Sequence, residues 1–565
     1  MKSRVKKELV VRHHLIFIIF ISIHASALPA TIFVPDDYPT IQEAINAVFK
    51  DDIIIVREGT WTGPGNKNLN FNGKAITLCS ETGPKNCIID CKGGGRGLYF
   101  NSGETEESVV DGFTITSGDV SSDGGAVYCE NSSPTLRNCI FNGNSANNGG
   151  GMCNYRSNPT ITNCIFSKNS AAGYGLYYCG GGMYNDDSNP TLTNCAFSGN
   201  SAAGGGYFYN GGGMGNNSSN PTLTKCTFTK NLADYNGGGM YNEDFSSPNL
   251  TNCTFSGNSA WAWGGGMYNG ESNPTLINCT LSENSAGSGG GVSNHWVKFI
   301  NGPTLNNCSF NGNSASYFGG GMYNEDSNTI LTNCTFRGNS AVDNGGGLYN
   351  HSSTPTLANC ILWYNGDSNG WNYESSQIYV YSGTPIINYC CIEGWTGSLG
   401  GSGNIGNDPR WVDPTVRDFH LTWNSPCRNA GDNSVVTELH DFEGDPRIHD
   451  GTVDMGADEF HIHLYHTDPV VPGTWVTTRV IGRPDSGIVV AEGSGFKETP
   501  IPTPYGDLYI EAPVVRYLLE TIPSSGACIV RTEVPTHWIA GKKYPFQAFI
   551  GDERMLTNLM LVTIE

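Results

Sequence analysis

Short hydrophobic stretches alternate with polar turns along most of this chain, and the same order of stretches returns about every 26 residues. One copy runs from Gly264 to Ala286 and contains Gly-Gly-Met-Tyr, Pro-Thr-Leu and Cys-Thr-Leu. These stretches are too short for helices, and Gly, Asn, Ser and Pro separate them, which is typical of turns. The pattern therefore predicts three short β-strands per repeat.

The cysteine of this pattern gives the length of the repeat. It recurs at intervals of 25 to 31 residues, at Cys139, Cys164, Cys195, Cys226, Cys253, Cys279, Cys308, Cys334 and Cys360. A period of this size indicates stacked supersecondary units. A leucine-rich repeat would need a Leu-x-x-Leu-x-Leu frame and a propeller about four antiparallel strands per unit, and neither fits. We predict an all-β chain that forms a parallel β-helix, with coils about 4.8 Å apart.

Within each coil, the strand residues divide into inward and outward positions. Leu192, Cys195 and Phe197 are predicted to point into the core, as are their equivalents in other coils. The Asn before the cysteine is expected at a bend, because Asn tolerates the left-handed conformation and its amide can bond to the next coil. These residues are Asn138, Asn163, Asn194, Asn252, Asn278, Asn307, Asn333 and Asn359.

The stacked cysteines are predicted to be small buried hydrophobic residues. Side chains at one position of adjacent coils point the same way, which suits disulfide geometry badly. Cys79, Cys87 and Cys91 precede the regular array, and a disulfide among them is the alternative.

Both ends of the chain differ from the repeat. Residues 1–30 combine basic residues with one short apolar stretch, Leu15–Ile23, which predicts a signal peptide and no transmembrane span after its removal. The remaining chain has 26 basic and 51 acidic residues, a net charge of −25, so nucleic acid and anionic membrane surfaces are not expected partners.

The composition divides the rest of the chain into four parts. Residues 31–120 are predicted to form an N-terminal cap and the first coils, and 121–400 the regular coils. Residues 401–460 are predicted to form a closing segment. In 461–565 the repeat disappears and alternating stretches such as Trp475–Ile481 predict a small C-terminal β-sandwich.

Three motifs resemble those of known families. Phe-x-x-Asn paired with Gly-Gly-Gly-Met or Gly-Gly-Gly-Leu resembles the repeats of polymorphic outer membrane proteins, which are bacterial surface adhesins. The segment 32–46 looks like the N-terminal cap of secreted right-handed β-helices, including pectin-acting enzymes. Gly-Asp-Pro-Arg at 444–447, with Val-Asp-Met-Gly-Ala-Asp-Glu at 453–459, resembles the closing region of choice-of-anchor Q bacterial surface proteins. The resemblances imply a right-handed helix and a secreted or cell-surface location, with association with the outer membrane as one form of it.

Aromatic residues collect in the turns before Gly-Gly-Gly, where the repeat varies in length. They are Tyr177, Tyr178, Tyr207, Phe208, Tyr209, Tyr235, Trp261, Trp263, Tyr317 and Phe318. Their register places them on one edge of successive coils, where such rings can stack on sugar rings or anchor a protein. The alternative is that they fold back and shield the core.

Acidic residues follow Tyr-Asn in several coils. Glu243 and Asp244 are one coil away from Glu271, so these three are candidates for weak Ca²⁺ binding or for paired carboxylates. Solvated turn residues are the simpler interpretation, and no other cofactor is expected.

Two functions remain open at this point. A secreted or cell-surface binding protein that contacts surface glycans or proteins, adhesin-like, is favoured by the regular template and the scarcity of basic residues. A polysaccharide lyase, esterase or hydrolase of the pectin-acting type is the alternative. A hydrolase would need carboxylates about 5–9 Å apart in a groove. A lyase would need Lys or Arg beside such a cluster.

Overall fold

The computed structural model describes residues 29–172, 179–203, 210–297, 302–413, 418–441, 443–448 and 451–460, and within 461–565 the backbone of the strands alone. The predicted signal peptide therefore lies almost entirely outside the described residues. Residues 31–392 form a parallel β-helix, in which each strand pairs with its equivalent one coil away. The N-terminal helix Ile41–Ala47 packs at the start of the solenoid, with Ile41, Ala44 and Ile45 buried. Thr40 caps this helix by accepting a hydrogen bond from the Glu43 amide.

Sheet 1 contains fourteen strands and carries the Pro-Thr-Leu stretches. Its strands are Thr31–Val34, Ile53–Val56, Thr77–Ser80, Val109–Asp111, Thr135–Arg137, Thr160–Thr162, Thr191–Thr193, Thr222–Thr224, Asn249–Thr251, Thr275–Ile277, Thr304–Asn306, Ile330–Thr332, Thr356–Ala358 and Ile386–Asn388.

Sheet 2 contains thirteen strands and carries the stretches that follow the cysteines. Its strands are Gly59–Trp61, Cys87–Asp90, Thr114–Thr116, Ile140–Asn142, Ile165–Ser167, Ala196–Ser198, Thr227–Thr229, Thr254–Ser256, Thr280–Ser282, Ser309–Asn311, Thr335–Arg337, Ile361–Trp363 and Cys391–Ile392.

Sheet 3 contains eleven strands and carries the Met-Tyr-Asn stretches. Its strands are Leu98–Phe100, Val127–Glu130, Met152–Tyr155, Met183–Asp186, Met214–Asn217, Met240–Glu243, Met267–Gly270, Val292–Val297, Met322–Ser327, Leu348–His351 and Ile378–Val380. The short helix Glu374–Gln377 directly precedes the last of these strands.

A fourth sheet, which the sequence pattern did not predict, lies between sheets 2 and 3. Its eight strands are two residues long, too short to show a hydrophobic period: Ser145–Ala146, Ser170–Ala171, Ser201–Ala202, Leu232–Ala233, Ser259–Ala260, Ser285–Ala286, Ser314–Ala315 and Ser340–Ala341. The Ala of each strand is buried. In two adjacent coils a further strand lies between sheet 4 and sheet 3. These two strands, Cys179–Gly180 and Asn210–Gly211, pair with each other.

The predicted core positions are confirmed, because Leu192, Cys195 and Phe197 are all at most 2% exposed. The rings of Phe197 and Phe228 stack at 4.7 Å between centroids and within 3° of parallel. Equivalent stacks run through the neighbouring coils. Ring spacing matches coil spacing, so the rings pack directly on one another in the interior.

The Asn residues before the cysteines form the predicted ladder, which we call the asparagine row. Each has a positive φ between 51° and 56°. The Asn194 amide donates to Asn163 Oδ1 at 2.8 Å, and the Asn359 amide donates to Asn333 Oδ1 at 3.0 Å. Lys225 stands at the position between Asn194 and Asn252, also with positive φ, and interrupts the row.

A second Asn ladder lies deeper and was not predicted. Asn258, the last residue of Phe-x-x-Asn, is fully buried; its amide donates to Phe228 O and to Asn284 Oδ1, both at 2.9 Å. Its Oδ1 accepts from the backbone and side-chain amides of Asn231. Each buried amide is therefore satisfied by identical amides one coil away.

The described cysteines are free thiols. Cys195 Sγ lies 3.6 Å from Ile161 O and is buried, as predicted for the array. Cys79, Cys87 and Cys91 are also unbridged, so the disulfide alternative does not hold in the structure.

The closing segment returns along the outside of the solenoid, against the asparagine row. The Asn307 amide donates to His440 O at 3.0 Å, and Asp432 N donates to Asn359 Oδ1 at 2.7 Å. Ala457 N donates to Thr335 Oγ1 at 2.9 Å. The segment contains the antiparallel pair Trp411–Asp413 with Asp418–Leu421 and the 3₁₀ turn Asn433–Val435.

Arg447 is the centre of a set of polar contacts inside the closing segment. It is fully buried, its guanidinium donates to Asp454 O and Gly456 O, and Nη1 lies 3.7 Å from Glu459 Oε2. Asp454 in turn accepts from the backbone amides of Asn429 and Phe460. The motif residues at 444–459 thus form a buried polar network.

Beyond Phe460 the strands pair antiparallel. They are Leu464–His466, Trp475–Ile481, Gly487–Gly493, Phe496–Thr503, Gly506–Ile510, Val514–Thr521, Ala527–Glu533, Lys543–Ile550, Met555–Leu556 and Met560–Thr563. Antiparallel pairing already occurs in the closing segment, so the domain boundary at 460 and the sandwich both stay predictions. In the part of the chain that is described, no helix has the length and apolarity to cross a membrane.

Candidate functional site

The turns that join sheet 4 to sheet 3 stack on one another and carry the predicted aromatic residues. Ala262 N donates to Tyr235 O at 2.8 Å, and Tyr317 N donates to Gly287 O at 2.8 Å. This stacking forms the predicted edge, which we call the aromatic edge: Tyr235, Trp261, Trp263, Tyr317 and Phe318. The other five candidates, Tyr177, Tyr178, Tyr207, Phe208 and Tyr209, lie outside the described residues.

Part of the aromatic edge faces solvent. The Trp261 side chain is 72% exposed, and its ring lies 5.4 Å from that of Tyr235 in a tilted arrangement. Tyr317 is 58% exposed. These two exposed rings lie two coils apart, on either side of the coil of Gly287, on a surface that a flat ligand can contact.

The rest of the aromatic edge folds back onto sheet 3. Trp263 lies 5.2 Å from Tyr323 and 4.8 Å from His295, and Phe318 lies 4.7 Å from Tyr349. Both residues are only half-buried. Trp263 and Phe318 therefore shield sheet 3, whereas Trp261 and Tyr317 are exposed.

The surface beneath Trp263 and Phe318 is a column of tyrosines that sequence reasoning did not single out. Tyr241 and Tyr268 stack at 5.1 Å, within 4° of parallel, and Tyr323 and Tyr349 stack at 5.3 Å. Their Met and Asn neighbours in sheet 3 are buried in the solenoid. Strand alternation places the intervening Tyr on the outer face, which was the available signal.

Cys153, Gly215 and Ser293 interrupt the tyrosine positions of sheet 3, and the coil of Ser293 departs furthest from the template. Its sequence from Val292 is Val-Ser-Asn-His-Trp-Val, so Ser293 takes the place of a Tyr and His295 follows the Asn. Sequence reasoning missed this departure from the template, although it is visible in the repeat register.

Ser293, His295 and Glu325 form a hydrogen-bonded series. Ser293 Oγ lies 2.8 Å from His295 Nε2, and His295 Nδ1 lies 3.2 Å from Glu325 Oε2. Tyr323 and His351 also contact the Glu325 carboxylate, at 3.3 Å and 3.5 Å. Burial lowers the pKa of His295, whereas the hydrogen bond with His295 lowers the pKa of Glu325. The result is a neutral imidazole oriented by a carboxylate, an arrangement that can accept a proton from the serine.

Ser293 and His295 are closed to solvent, whereas Glu325 is partly exposed. Ser293 is fully buried and His295 is 3% exposed. Trp263 contacts the imidazole edge-on, and Trp296 contacts it from a distance of 5.5 Å. Trp263 therefore lies between this face of the imidazole and solvent.

The position after Tyr-Asn, which we call the variable row, includes Glu243, whereas the other two acidic candidates, Asp244 and Glu271, occupy the next position along the chain. The variable row runs through Asp186, Asn217, Glu243, Gly270, His295, Glu325 and His351. Unlike the asparagine row, it changes residue type at almost every coil.

Glu243 is the most perturbed of the acidic candidates. Its side chain extends over Gly270, where a Cβ would lie 2.3 Å from Oε2, and it accepts a hydrogen bond from the Tyr241 hydroxyl at 2.6 Å. Burial, with smaller contributions from Asp244 and Glu271, raises the pKa of Glu243 to about 7. Asp244 and Glu271 occupy turn positions with φ of 50° and 47°. Ca²⁺ binding by these three stays a prediction.

A groove lies on another side of the solenoid, between the closing segment and the asparagine row. Its volume is about 680 Å³. Lys225, Asn252, Asn278, Thr254, Thr280, His440, Asp441, Glu443 and Gly444 line it. A basic residue therefore shares a cavity with carboxylates, although Asp441 already accepts from several backbone amides.

Comparisons with known proteins agree with this architecture. The family described as "Right handed beta helix region" matches residues 53–204 and 177–299, and the "Chlamydia polymorphic membrane protein (Chlamydia_PMP) repeat" matches 333–351. The chain is a right-handed parallel β-helix with repeats like those of polymorphic membrane proteins. No curated protein matches the chain.

Several solved structures are similar at low identity. They include pectate lyase Pel9A, at 13% identity and a TM-score of 0.34, with 74% of this chain and 91% of that chain covered. A mutant tailspike protein of E. coli bacteriophage HK620 in complex with a hexasaccharide has 11% identity and a TM-score of 0.30, covering 95% and 86%. The receptor-binding protein of bacteriophage Det7 has 11% identity and a TM-score of 0.29, covering 95% and 98%. TM-scores of this size carry no argument about function.

Proposed function

We propose that this chain is a secreted or cell-surface binding protein that contacts glycans through its aromatic edge, in the manner of an adhesin. The observation that carries the proposal is the exposed Trp261 ring beside Tyr235, on turns that stack coil upon coil. Large exposed aromatic rings grouped on a surface indicate a contact site, and flat rings suit the apolar faces of sugars. A protein partner at the same edge is the alternative ligand.

Charge narrows the glycan class. With 26 basic and 51 acidic residues after removal of residues 1–30, the chain would repel a polyuronate. We therefore favour neutral or amino-sugar glycans. The match to a polymorphic membrane protein repeat supports a bacterial surface location. The signal peptide, an association with the outer membrane and the choice-of-anchor Q relationship of residues 444–459 belong to the same proposal.

A glycan array with residues 31–565 tests the proposal. The Trp261→Ala and Tyr235→Ala variants should each weaken binding about tenfold, because each removes one stacking surface. Phe49→Ala is the matched control, since Phe49 is 79% exposed but lies outside the aromatic edge. Equal binding by all four proteins would contradict the aromatic edge as the site. Capture of a protein ligand without any glycan would favour the alternative.

The series Ser293–His295–Glu325 favours a second candidate, the hydrolysis of an ester on a glycan. In this scheme Ser293 Oγ attacks the acyl carbon and its proton passes to His295 Nε2, from which it goes to the departing alcohol. Water then releases the acid from the serine. The distances of 2.8 Å and 3.2 Å along the series support this candidate, and the cover formed by Trp263 opposes it.

The native chain and two variants separate an enzyme from a structural series. Hydrolysis of p-nitrophenyl acetate should be slow in the native chain and faster in Trp263→Ala, where the imidazole beside the serine is uncovered. Adding Ser293→Ala to Trp263→Ala should abolish the gain. If that double variant is as active as Trp263→Ala alone, the serine is not a nucleophile.

A further inference from the structure

Three metal-ligating side chains from separate parts of the closing segment meet at one point. His420 comes from the strand Asp418–Leu421, Glu443 from the turn after Asp441, and Asp458 from the end of the segment. Their ligand atoms all lie within 4.8 Å of one another, and His420 Nε2 is 3.0 Å from Glu443 Oε2. This is the sole such group of three or more among the described residues.

Asp458 is the unusual member of the group. It is only 7% exposed, and neither carboxylate oxygen has a hydrogen-bond partner. The neighbouring buried acids differ, because Asp441 and Asp454 accept from backbone amides and Glu459 pairs with Arg447. A buried carboxylate without a partner costs several kcal/mol unless a positive charge compensates it. No hydrogen bond from the described residues around it therefore compensates the Asp458 carboxylate.

We propose that His420, Glu443 and Asp458 bind a divalent transition-metal ion of the Zn²⁺ type. One imidazole nitrogen and two carboxylates suit Zn²⁺, whereas Ca²⁺ and Mg²⁺ prefer oxygen ligands throughout. Three protein ligands leave a coordination position for water. Because Glu443 is exposed and also lines the groove, that position is accessible from the groove side.

The proposed ion would join elements that are distant in sequence. His420 and Asp458 are separated by the whole 3₁₀ turn and the Arg447 network, so one ion bridges the beginning and the end of the segment. Binding should therefore stabilise the closing segment on the solenoid, because the unfolded chain does not hold the three ligands together. This site is distinct from the acidic candidates on sheet 3.

Metal titration of the full mature chain, after removal of bound metal with a chelator, tests the proposal. We expect one equivalent of Zn²⁺ by calorimetry and a d–d absorption band when Co²⁺ replaces it. His420→Gln and Asp458→Asn should each lower Zn²⁺ affinity at least about tenfold. His440→Gln is the matched control, because His440 lines the groove but is not one of the three ligands.

Thermal unfolding gives a pattern that a loss of folding cannot mimic. Without metal, Asp458→Asn should unfold at a higher temperature than the native chain, because the unpaired buried charge is gone. With Zn²⁺, only the native chain and His440→Gln should gain stability. The proposal fails if Zn²⁺ does not bind the native chain, if Ca²⁺ binds more tightly, or if affinity survives in His420→Gln and Asp458→Asn.

Discussion

The asparagine row and the variable row run along the same coils, yet they solve the stacking of polar side chains in different ways. In the asparagine row the amide of one Asn donates to the identical amide one coil away, as Asn194 does to Asn163. In the variable row complementary groups alternate, and Glu325 lies between His295 and His351. Identical neighbours work only for a group that is donor and acceptor at once, so a row of acids cannot stack without partners. Repetition therefore supports the fold, while variation creates perturbed groups.

The asparagine row itself divides into two halves. Asn138, Asn163 and Asn194 are exposed, whereas Asn307, Asn333 and Asn359 are at most 1% exposed beneath the closing segment. The covered amides bond both along the row and sideways to the closing segment. An Asn in the same backbone conformation therefore makes an additional hydrogen bond where the closing segment covers it.

Removal of the buried arginine should have the largest effect. Arg447→Met leaves Glu459 buried without its partner, which costs about 3–5 kcal/mol. We expect the closing segment to detach and to be cut by protease at a temperature where the solenoid stays intact. Arg137→Met is the control, because its ion pair with Asp111 is half exposed and should cost under about 1 kcal/mol. Equal protease sensitivity of the two variants would contradict the network.

The two halves of the asparagine row should respond differently to the same substitution. Asn359→Ala and Asn163→Ala both place Ala at positive φ, so the backbone cost cancels between them. Asn359→Ala also leaves Asp432 N and O without a partner, which adds about 2 kcal/mol. The thermal unfolding midpoints of the two variants test this difference. Equal midpoints would show that the hydrogen bonds to the closing segment add no stability.

The variable row should show a pH dependence that the asparagine row lacks. The pKa of Glu243 is raised from 4.5 to about 7, so its contribution to stability is present below pH 4.5 and lost as pH rises through 7. Tyr241, Asp244 and Glu271 are the groups that act on it. Glu243→Gln should therefore be more stable than the native chain at pH 8 by about 1–2 kcal/mol, and not at pH 4.

Glu106→Gln is the control for this titration, because Glu106 is exposed. The thermal unfolding midpoints of the native chain, Glu243→Gln and Glu106→Gln, measured at pH 4 and pH 8, test this prediction. A native chain that gains stability between pH 4 and pH 8 relative to Glu243→Gln would reverse the sign and contradict the burial of Glu243.

Completing the asparagine row should have the smallest effect. Lys225→Asn restores the missing amide between Asn194 and Asn252, which should add under about 1 kcal/mol. Lys230→Asn is the matched control, since Lys230 also has positive φ but stands in a row without Asn neighbours. A higher midpoint for Lys225→Asn than for Lys230→Asn would measure the ladder bond alone.

The candidate sites were predictable only where one coil position explains them. The aromatic edge followed from counting residues in each repeat, and Glu243 followed from the position after Tyr-Asn. Ser293 and His295 could have been found as a break in the template. The group His420, Glu443 and Asp458 could not, because its members come from the irregular closing segment.

The sequence by itself determined the solenoid, its core and the asparagine row. Each coil repeats the same short strands and turns, so one residue's environment is set by equivalent residues one period away. Only the tertiary structure decided that the closing segment returns over the asparagine row, that Trp263 packs against His295, and that Asp458 lies beside His420. Such contacts join residues with no periodic relation, and their free energy depends on how irregular chain packs against a surface that already exists.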